Sequence, residues 1–245
     1  MADEPVPGPS AELAPRPEHH HRDVRGGAAR AAVFGVSDGL VSNVGLILGV
    51  AGADPAPAVV RVAGIAGLVA GAISMAAGEY NSMKVQTELL ERELAIERRE
   101  LRRNPHVETV ELSHIYQSRG VDPDRARELA EQMMRDPEIA LQTHAREELG
   151  IDPQQLGSPL HAAGSSFVSF TIGAVVPLVP WFFIGHGGAI ITSLALALVA
   201  AIIVGFATAR FTGRPGAVVA LRQVLFTMVP AAITYAIGSI VGANV

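Results

Sequence analysis

The stretch Phe34-Gly35-Val36-Ser37-Asp38-Gly39-Leu40-Val41-Ser42-Asn43, followed by Val44-Gly45-Leu46-Ile47-Leu48-Gly49-Val50-Ala51, is an apolar run holding a single carboxylate. A helix needs roughly 20 mainly apolar residues to cross about 30 Å of hydrocarbon, and the run extends over residues 31–53. Four further runs have the same character, at 59–80, 165–184, 189–209 and 219–241. The chain therefore reads as an all-α integral membrane protein with five transmembrane helices. Its composition agrees: 49% of the residues are hydrophobic, mean hydropathy is +0.32, and only 18% are charged, against roughly 25% in a typical soluble domain.

The charges are also unevenly placed. Of the 24 acidic residues, 16 lie between Lys84 and Gly164. A soluble globule would spread them over its whole surface, so residues 82–164 read as a polar helical domain inserted between the second and third spans. The expected organisation is a polar tail at 1–30, spans 1 and 2 at 31–81, the polar domain at 82–164, and spans 3 to 5 at 165–245. The tail is Pro-rich and lacks an apolar core, so it is expected to be disordered and not a signal peptide. His19, His20 and His21 within it read as solvated residues or a weak metal site. With no cysteine, disulfides and thiolate sites are excluded. Arg outnumbers Lys 18 to 1, which with the wealth of Ala, Gly and Pro points to a GC-rich bacterial genome and hence to a bacterial inner membrane.

Orientation follows from the basic residues. With the amino terminus in the cytosol, the tail, the polar domain and the loop at 210–222 lie inside. Those segments hold 18 of the 19 Lys and Arg residues, leaving only Arg61 outside. This is the positive-inside pattern, and it puts the carboxyl terminus outside. The turns Asp54-Pro55-Ala56-Pro57 and Gly185-His186-Gly187-Gly188 close two hairpins. Gly35/Gly39, Gly45/Gly49, Gly67/Gly71 and Gly238/Gly242 have close-packing spacing. Pro177, Pro180 and Pro230 are expected to break backbone bonds within their spans.

In the polar domain, residues 82–103 are dense in Glu, Leu and Arg, so the helix of span 2 is expected to run on without interruption. Asn104-Pro105 ends it and starts a second helix, which Gly120 stops. Asp122-Pro123 starts a third, which Asp136-Pro137 kinks or restarts and Gly150 closes. Three or four helices in about 80 residues make a domain that is marginal alone.

Asp38 costs at least ~2.5 kcal/mol in lipid, so such a residue usually faces a cavity or a partner. Ser37, Ser42 and Asn43 beside it offer oxygen ligands. On the second span Met75 and Glu79 are four apart and share a face, flanked by Ser74 and Asn81. Carboxylate oxygen with a thioether favours transition metals over Ca²⁺ or Mg²⁺, although Met75 alone reads more readily as lipid-facing or packing filler. In the polar domain Glu97/Glu100 and Glu108/Glu111 are pairs three apart across the Asn104-Pro105 turn. His144 and Glu148 are four apart farther on. Together they are candidate ligands for Fe²⁺, Mn²⁺ or Zn²⁺. The alternative is a solvated face neutralised by Arg98, Arg99, Arg102 and Arg103. No HExxH, P-loop or cysteine nucleophile is present, so the chain is not read as an enzyme. No resident cofactor and no nucleic-acid partner are expected.

These residues resemble the vacuolar iron transporter family of fungi, plants, protists and bacteria. The stretch from Phe34 to Asn43 is similar to its first-span signature, and Ile73-Ser74-Met75-Ala76-Ala77-Gly78-Glu79-Tyr80 to its second. Glu97, Glu100, Glu108 and Glu111 match the spacing of its cytosolic metal-binding glutamates, as does Glu148 before Leu149-Gly150. The resemblance implies five spans, a homodimer, and export of Fe²⁺ or Mn²⁺ from the cytosol in exchange for protons. Asp38 and Met75 are then pathway residues, with metal collected by the cytosolic helices. One departure stands out. Where eukaryotic members carry two Met in the third cytosolic helix, this chain has His144 and Ala145, while Met133-Met134 lies eleven residues earlier.

Overall fold

A computed structural model describes residues 27–243 apart from 151 and 154–156, without the side chains of residues 27–31. The expected polar tail, with its three histidines, lies outside the described residues except for 27–30, which already belong to the first helix. The helices are α1 (Gly27–Ala51), α2 (Pro57–Arg103), α3 (Pro105–Ser118), α4 (Pro123–Met133), α5 (Pro137–Glu147), α6 (Pro159–Leu178), α7 (His186–Thr212) and α8 (Gly216–Gly242). A short 3-10 turn, Val179–Phe182, extends α6. Among the described residues there is no strand. Helices α1, α2, α6 with its 3-10 turn, α7 and α8 are long and apolar enough to cross a membrane.

Proline and short polar caps place most of the boundaries. Helices α2 to α6 each carry proline in the first turn, where its missing N–H removes no intrahelical bond. Asp122 accepts from the backbone N–H of Asp124 at 3.1 Å and of Arg125 at 3.4 Å. Asp136 does the same for Glu138 at 2.8 Å and Ile139 at 3.1 Å. That second cap decides between a kink and a restart: α5 is a new helix. Gly120 and Gly150, with φ +90° and +65°, occupy left-handed backbone just past α3 and α5, where a Cβ is unfavourable.

Helix α2 contains 47 residues, roughly 70 Å at 1.5 Å per residue. That is more than twice the hydrocarbon thickness, so one continuous helix passes from membrane into the polar domain with no linker. There, α5 packs against α2 and α3. Among the described residues the buried apolar side chains of this domain are Leu112, Ala126, Ala130, Ala140, Leu141 and Ala145, a thin core built mostly of methyl groups.

In the membrane bundle α1 is central, touching α2, α6, α7 and α8. Small residues let the backbones meet. A Cβ on Gly39 would run into the Phe170 carbonyl, and one on Gly173 into the Val36 carbonyl. On the other side of α1, Gly238 lies against the Gly49 carbonyl. In α7 the buried residues are Ala189, Ser193, Ala197, Ala201, Gly205 and Ala209, a ladder of period four. Ile191, Ile203 and Phe206 on the same helix are exposed. Small side chains inward and large ones outward is the arrangement expected when lipid is as apolar as the core. Gly238→Val is therefore expected to cost about 1–3 kcal/mol or more through overpacking. Thermal-stability profiles on size-exclusion chromatography in detergent check this; an unchanged melting profile would contradict the tight α1–α8 contact.

The prolines remove backbone donors within their spans without ending the helices. Pro177 and Pro230 lie inside continuous α6 and α8, and only Pro180 coincides with a change, from α to 3-10. The Ser193 hydroxyl of α7 donates to the Pro177 carbonyl at 2.7 Å. A neighbouring helix thus supplies a partner beside the proline positions, which is how membrane helices tolerate them.

Candidate functional site

A cleft of about 440 Å³ opens between α1 and α2, lined by Asp38, Ser42 and Asn43 from α1 and Ser74, Met75 and Glu79 from α2. Phe170 of α6 closes its back. The helical spacing that put Met75 and Glu79 on one face does turn that face toward Asp38. Gly67 and Gly71 make the space: a Cβ on Gly71 would strike the Phe170 ring. Asp38 is half-buried on the cleft wall. Met75 also packs against the cluster of Ala72, Phe170 and Ala174, so it combines filling with lining.

Asn43 is 2% exposed, and its amide N–H donates to the Ala174 carbonyl of α6 at 2.6 Å. That bond fixes which way the amide faces and leaves Oδ1 buried without a partner, 3.0 Å from where a Cβ on Gly67 would sit. A buried acceptor left unmade costs about 1–3 kcal/mol; a cation in the cleft would satisfy it. Two neighbours expected to help turn elsewhere. Ser37 faces α8, where it accepts from the Gln223 amide at 2.6 Å, and Asn81 does not line the cleft.

A second group of ligands forms outside the span region. Glu97 of α2, Glu108 of α3 and His144 of α5 offer ligand atoms all within 4.8 Å of one another. All three are buried, His144 completely. Glu108 sits in the first turn of α3, where the helix dipole favours an anion. His144 Nδ1 lies 3.0 Å from the Ala140 carbonyl, while Nε2 lies 3.3 Å from the Glu108 carbonyl and 3.9 Å from its carboxylate. A neutral imidazole has one N–H for these oxygens. If Nδ1–H bonds Ala140, as in many metal-binding histidines, the Nε2 lone pair points among oxygens and wants a cation. One carboxylate oxygen of Glu97 is likewise buried without a hydrogen-bond partner.

The electrostatics agree. Burial, then the charge of Glu148, pushes the Glu97 carboxyl up to about 7; Glu108 and Glu111 add to the rise and His144 opposes it. Glu108 is raised by burial and then by Glu111, with Glu148 and Glu100 adding and His144 opposing. Glu148 is raised by burial and by Glu111, against His144. Crowded carboxylates favour a proton or a metal ion. The arginines do not supply that charge. Arg98, Arg99, Arg102 and Arg103 are exposed, and among the described residues the lysine and arginine ion pairs of this domain are Lys84–Glu88 at 3.3 Å, Arg127–Glu131 at 3.2 Å, Arg146–Asp152 at 3.2 Å and Arg119–Glu147.

Not every expected ligand joins. Glu100 accepts from the Asn104 side chain at 3.1 Å. Glu111 and Glu148 are exposed, near enough to act on the cluster through their charge but outside its ligand group. His144 takes its place in the cluster while Ala145 packs into the core, and Met133 and Met134 stand at the end of α4.

Two short enzyme-like patterns do occur in the chain, each without its structural context. Glu111-x-x-His114 has the spacing of a carboxylate–histidine metal pair, yet both side chains are on the exposed face of α3, beside Val107 and Val110. Gly35-x-Ser37-x-Gly39 has the spacing of a hydrolase nucleophile elbow. It lies within α1 and not on a strand-to-helix turn, so the hydrolase context is absent.

Known proteins resemble this chain along most of its length. A family model described as the VIT family matches residues 29–239. Vacuolar iron transporter 1 of Oryza sativa subsp. japonica is 31% identical over 230 residues, covering 92% of this chain and 91% of that protein. The protein of the same name from Tulipa gesneriana is 30% identical over 236 residues, 96% of each. A vacuolar iron transporter of Acanthamoeba castellanii is 40% identical over 189 residues, 74% of this chain and 67% of that one. The match takes in both walls of the cleft and all three helices of the carboxylate–histidine cluster, and the chain belongs to the VIT family.

Proposed function

We propose that this protein moves a divalent first-row metal ion, Fe²⁺ or Mn²⁺, out of the cytosol through the α1–α2 cleft in exchange for protons. The observation that carries the proposal is the convergence of Asp38, Asn43, Met75 and Glu79 on one cleft between two helices long and apolar enough to cross a membrane. Two carboxylates, an amide oxygen and a thioether make a mixed hard and soft donor set suited to such ions. Asp38 binds metal when ionised and releases it when protonated from the opposite side. Glu97, Glu108 and His144, with Glu100, Glu111 and Glu148 around them, collect metal at the cytosolic entrance. The distribution of Lys and Arg supports an amino terminus in the cytosol and a carboxyl terminus outside, and the excess of Arg over Lys, with the wealth of Ala, Gly and Pro, supports a bacterial inner membrane. The sparse burial of α2 in a single chain supports a second copy across the cleft, as a homodimer. The relatives' names, vacuolar iron transporter, support iron as cargo.

The test is flux into proteoliposomes for Fe²⁺, Mn²⁺, Zn²⁺ and Ca²⁺, with and without a pH gradient. Fe²⁺ or Mn²⁺ flux that the gradient accelerates is expected; no flux under any gradient would defeat transport. A membrane-anchored metal buffer would then remain, because the Glu97–Glu108–His144 cluster binds without needing the cleft. Met75→Leu keeps the volume and removes the sulfur. It is expected to lower the Fe²⁺-to-Ca²⁺ flux ratio about 3- to 10-fold, on the softness of the lost donor. An unchanged ratio would reduce Met75 to a packing residue.

A further inference from the structure

The cleft stops at Leu46 and Gly67. Beyond them, toward the α1–α2 turn, the bundle is filled by a cluster of Ile47, Ala51, Val60, Leu178, Trp181 and Ala189. Gly64 adds to the closure, since a Cβ there would meet the side chains of Leu178 and Ile47. Above this cluster two turns meet. The Asp54 carboxylate of the α1–α2 turn lies 3.2 Å from His186 Nε2, in the first turn of α7. The imidazole stands edge-on to the Trp181 indole, ring centroids 5.4 Å apart at 86°. Trp181 is 2% exposed, whereas Asp54 projects into the open with 91% of its side chain exposed. Asp54 also holds left-handed backbone, φ 51°, which Asp and Asn tolerate better than other residues with a Cβ.

We infer that Asp54, His186 and Trp181 form a latch joining the α1–α2 hairpin to the α6–α7 hairpin and holding the far mouth of the cleft shut. The latch is a gate for the pathway proposed above and takes its transport role from that proposal. The polar contact and the ring contact serve different ends. His186 reaches Asp54 across the gap between the hairpins, and the same imidazole presses Trp181 down onto Ile47 and Leu178. Opening the far mouth requires the cluster to part. Parting it separates α1 and α2 from the 3-10 turn, so the His186–Asp54 contact must break first. One hydrogen bond at a largely exposed acceptor is modest in strength. That suits a contact which opens and closes in each cycle.

Because the chain has no cysteine, a single introduced thiol reports on the gate. Ile47→Cys places one beneath Trp181, to be probed with a membrane-impermeant thiol reagent from the side of Asp54. Adding His186→Ala or Asp54→Ala is expected to speed labelling about fivefold or more, the equivalent of one hydrogen bond lost. Adding Asp54→Asn, which keeps both the acceptor oxygen and the tolerance for left-handed backbone, is expected to leave the rate near that of Ile47→Cys alone. Retained metal binding by the Glu97–Glu108–His144 cluster establishes that each variant is folded. Equal labelling rates with and without His186→Ala and Asp54→Ala would overturn the latch. Flux measured on the parent protein separates the two proposals: altered labelling in the variants, with a parent that carries no metal under any gradient, supports the latch and defeats transport.

Discussion

Asp38→Ala is expected to lower metal flux in proteoliposomes by about 100-fold or more, since losing even the partners that support a metal ligand typically costs 10–100-fold. Metal binding by the polar domain should stay as in the parent. The expectation rests on position. Asp38 stands half-buried on the wall of the α1–α2 cleft beside Asn43, Met75 and Glu79. A carboxylate held there is charged at a cost that a metal ion or a proton offsets. Removing the side chain removes both the ligand and the group that exchanges one for the other. Asp38→Asn separates the two roles, because the amide keeps an oxygen ligand of the same size and cannot exchange a proton. Its residual flux should no longer respond to the pH gradient. Wild-type flux in Asp38→Ala would end the case for this residue as the coupling group.

The second large effect belongs to Glu97. Its carboxyl, pushed up to about 7, is partly protonated near neutral pH, so metal must displace that proton. Apparent affinity of the polar domain for Mn²⁺ is expected to fall about tenfold per pH unit below pH 7 for each proton displaced. It should level off above that value. Stability follows the same linkage with the opposite sense. Between the ordinary value of 4.5 and about 7 the folded protein holds a proton that the unfolded chain has released. Metal-free protein therefore loses stability as pH rises through that window, by up to roughly 3 kcal/mol. Glu97→Gln removes the buried charge. At pH 8 without metal it should melt a few degrees higher than the parent, and added Mn²⁺ should raise its melting temperature less. Melting curves from pH 4.5 to 8, with chelator and with Mn²⁺, check both. A parent and variant with the same pH profile would show that Glu97 carries no strained charge and is not where metal binds.

Much of the fold was open to reading because the features that specify it are local. Five apolar runs of membrane-spanning length need no tertiary information, since a spanning segment must satisfy its own backbone bonds. Prolines at the starts of α3, α4 and α5, with Asp122 and Asp136 before them, likewise mark helix boundaries through contacts within a few residues. The same logic carried α2 from the membrane into the polar domain, because nothing between Ser82 and Arg103 breaks a helix. It says nothing of what surrounds Pro177 and Pro230 in the bundle. What a proline does inside a span depends on the neighbouring helices, and Ser193 lies on another helix.

The candidate site was legible by face and not by contact. Helical spacing showed that Met75 shares a face with Glu79 and Glu97 with Glu100, but a period of 3.6 says nothing about which face turns inward. In the cleft the expected pair turned to its partner. In the polar domain Glu97 and Glu108 turned inward, while Glu100 bonded Asn104 and Glu111 faced out. His144 had no spacing signal tying it to Glu108, 36 residues away. The orientation of the Asn43 amide is decided by the Ala174 carbonyl, 131 residues along the chain. Local chemistry, then, determined that this chain forms membrane-spanning helices with a polar domain and which residues carry ligand atoms. Tertiary packing alone decided how far each helix rotates about its axis, and so which of those atoms meet, because that rotation is chosen by small side chains and backbone carbonyls on partner helices distant in sequence.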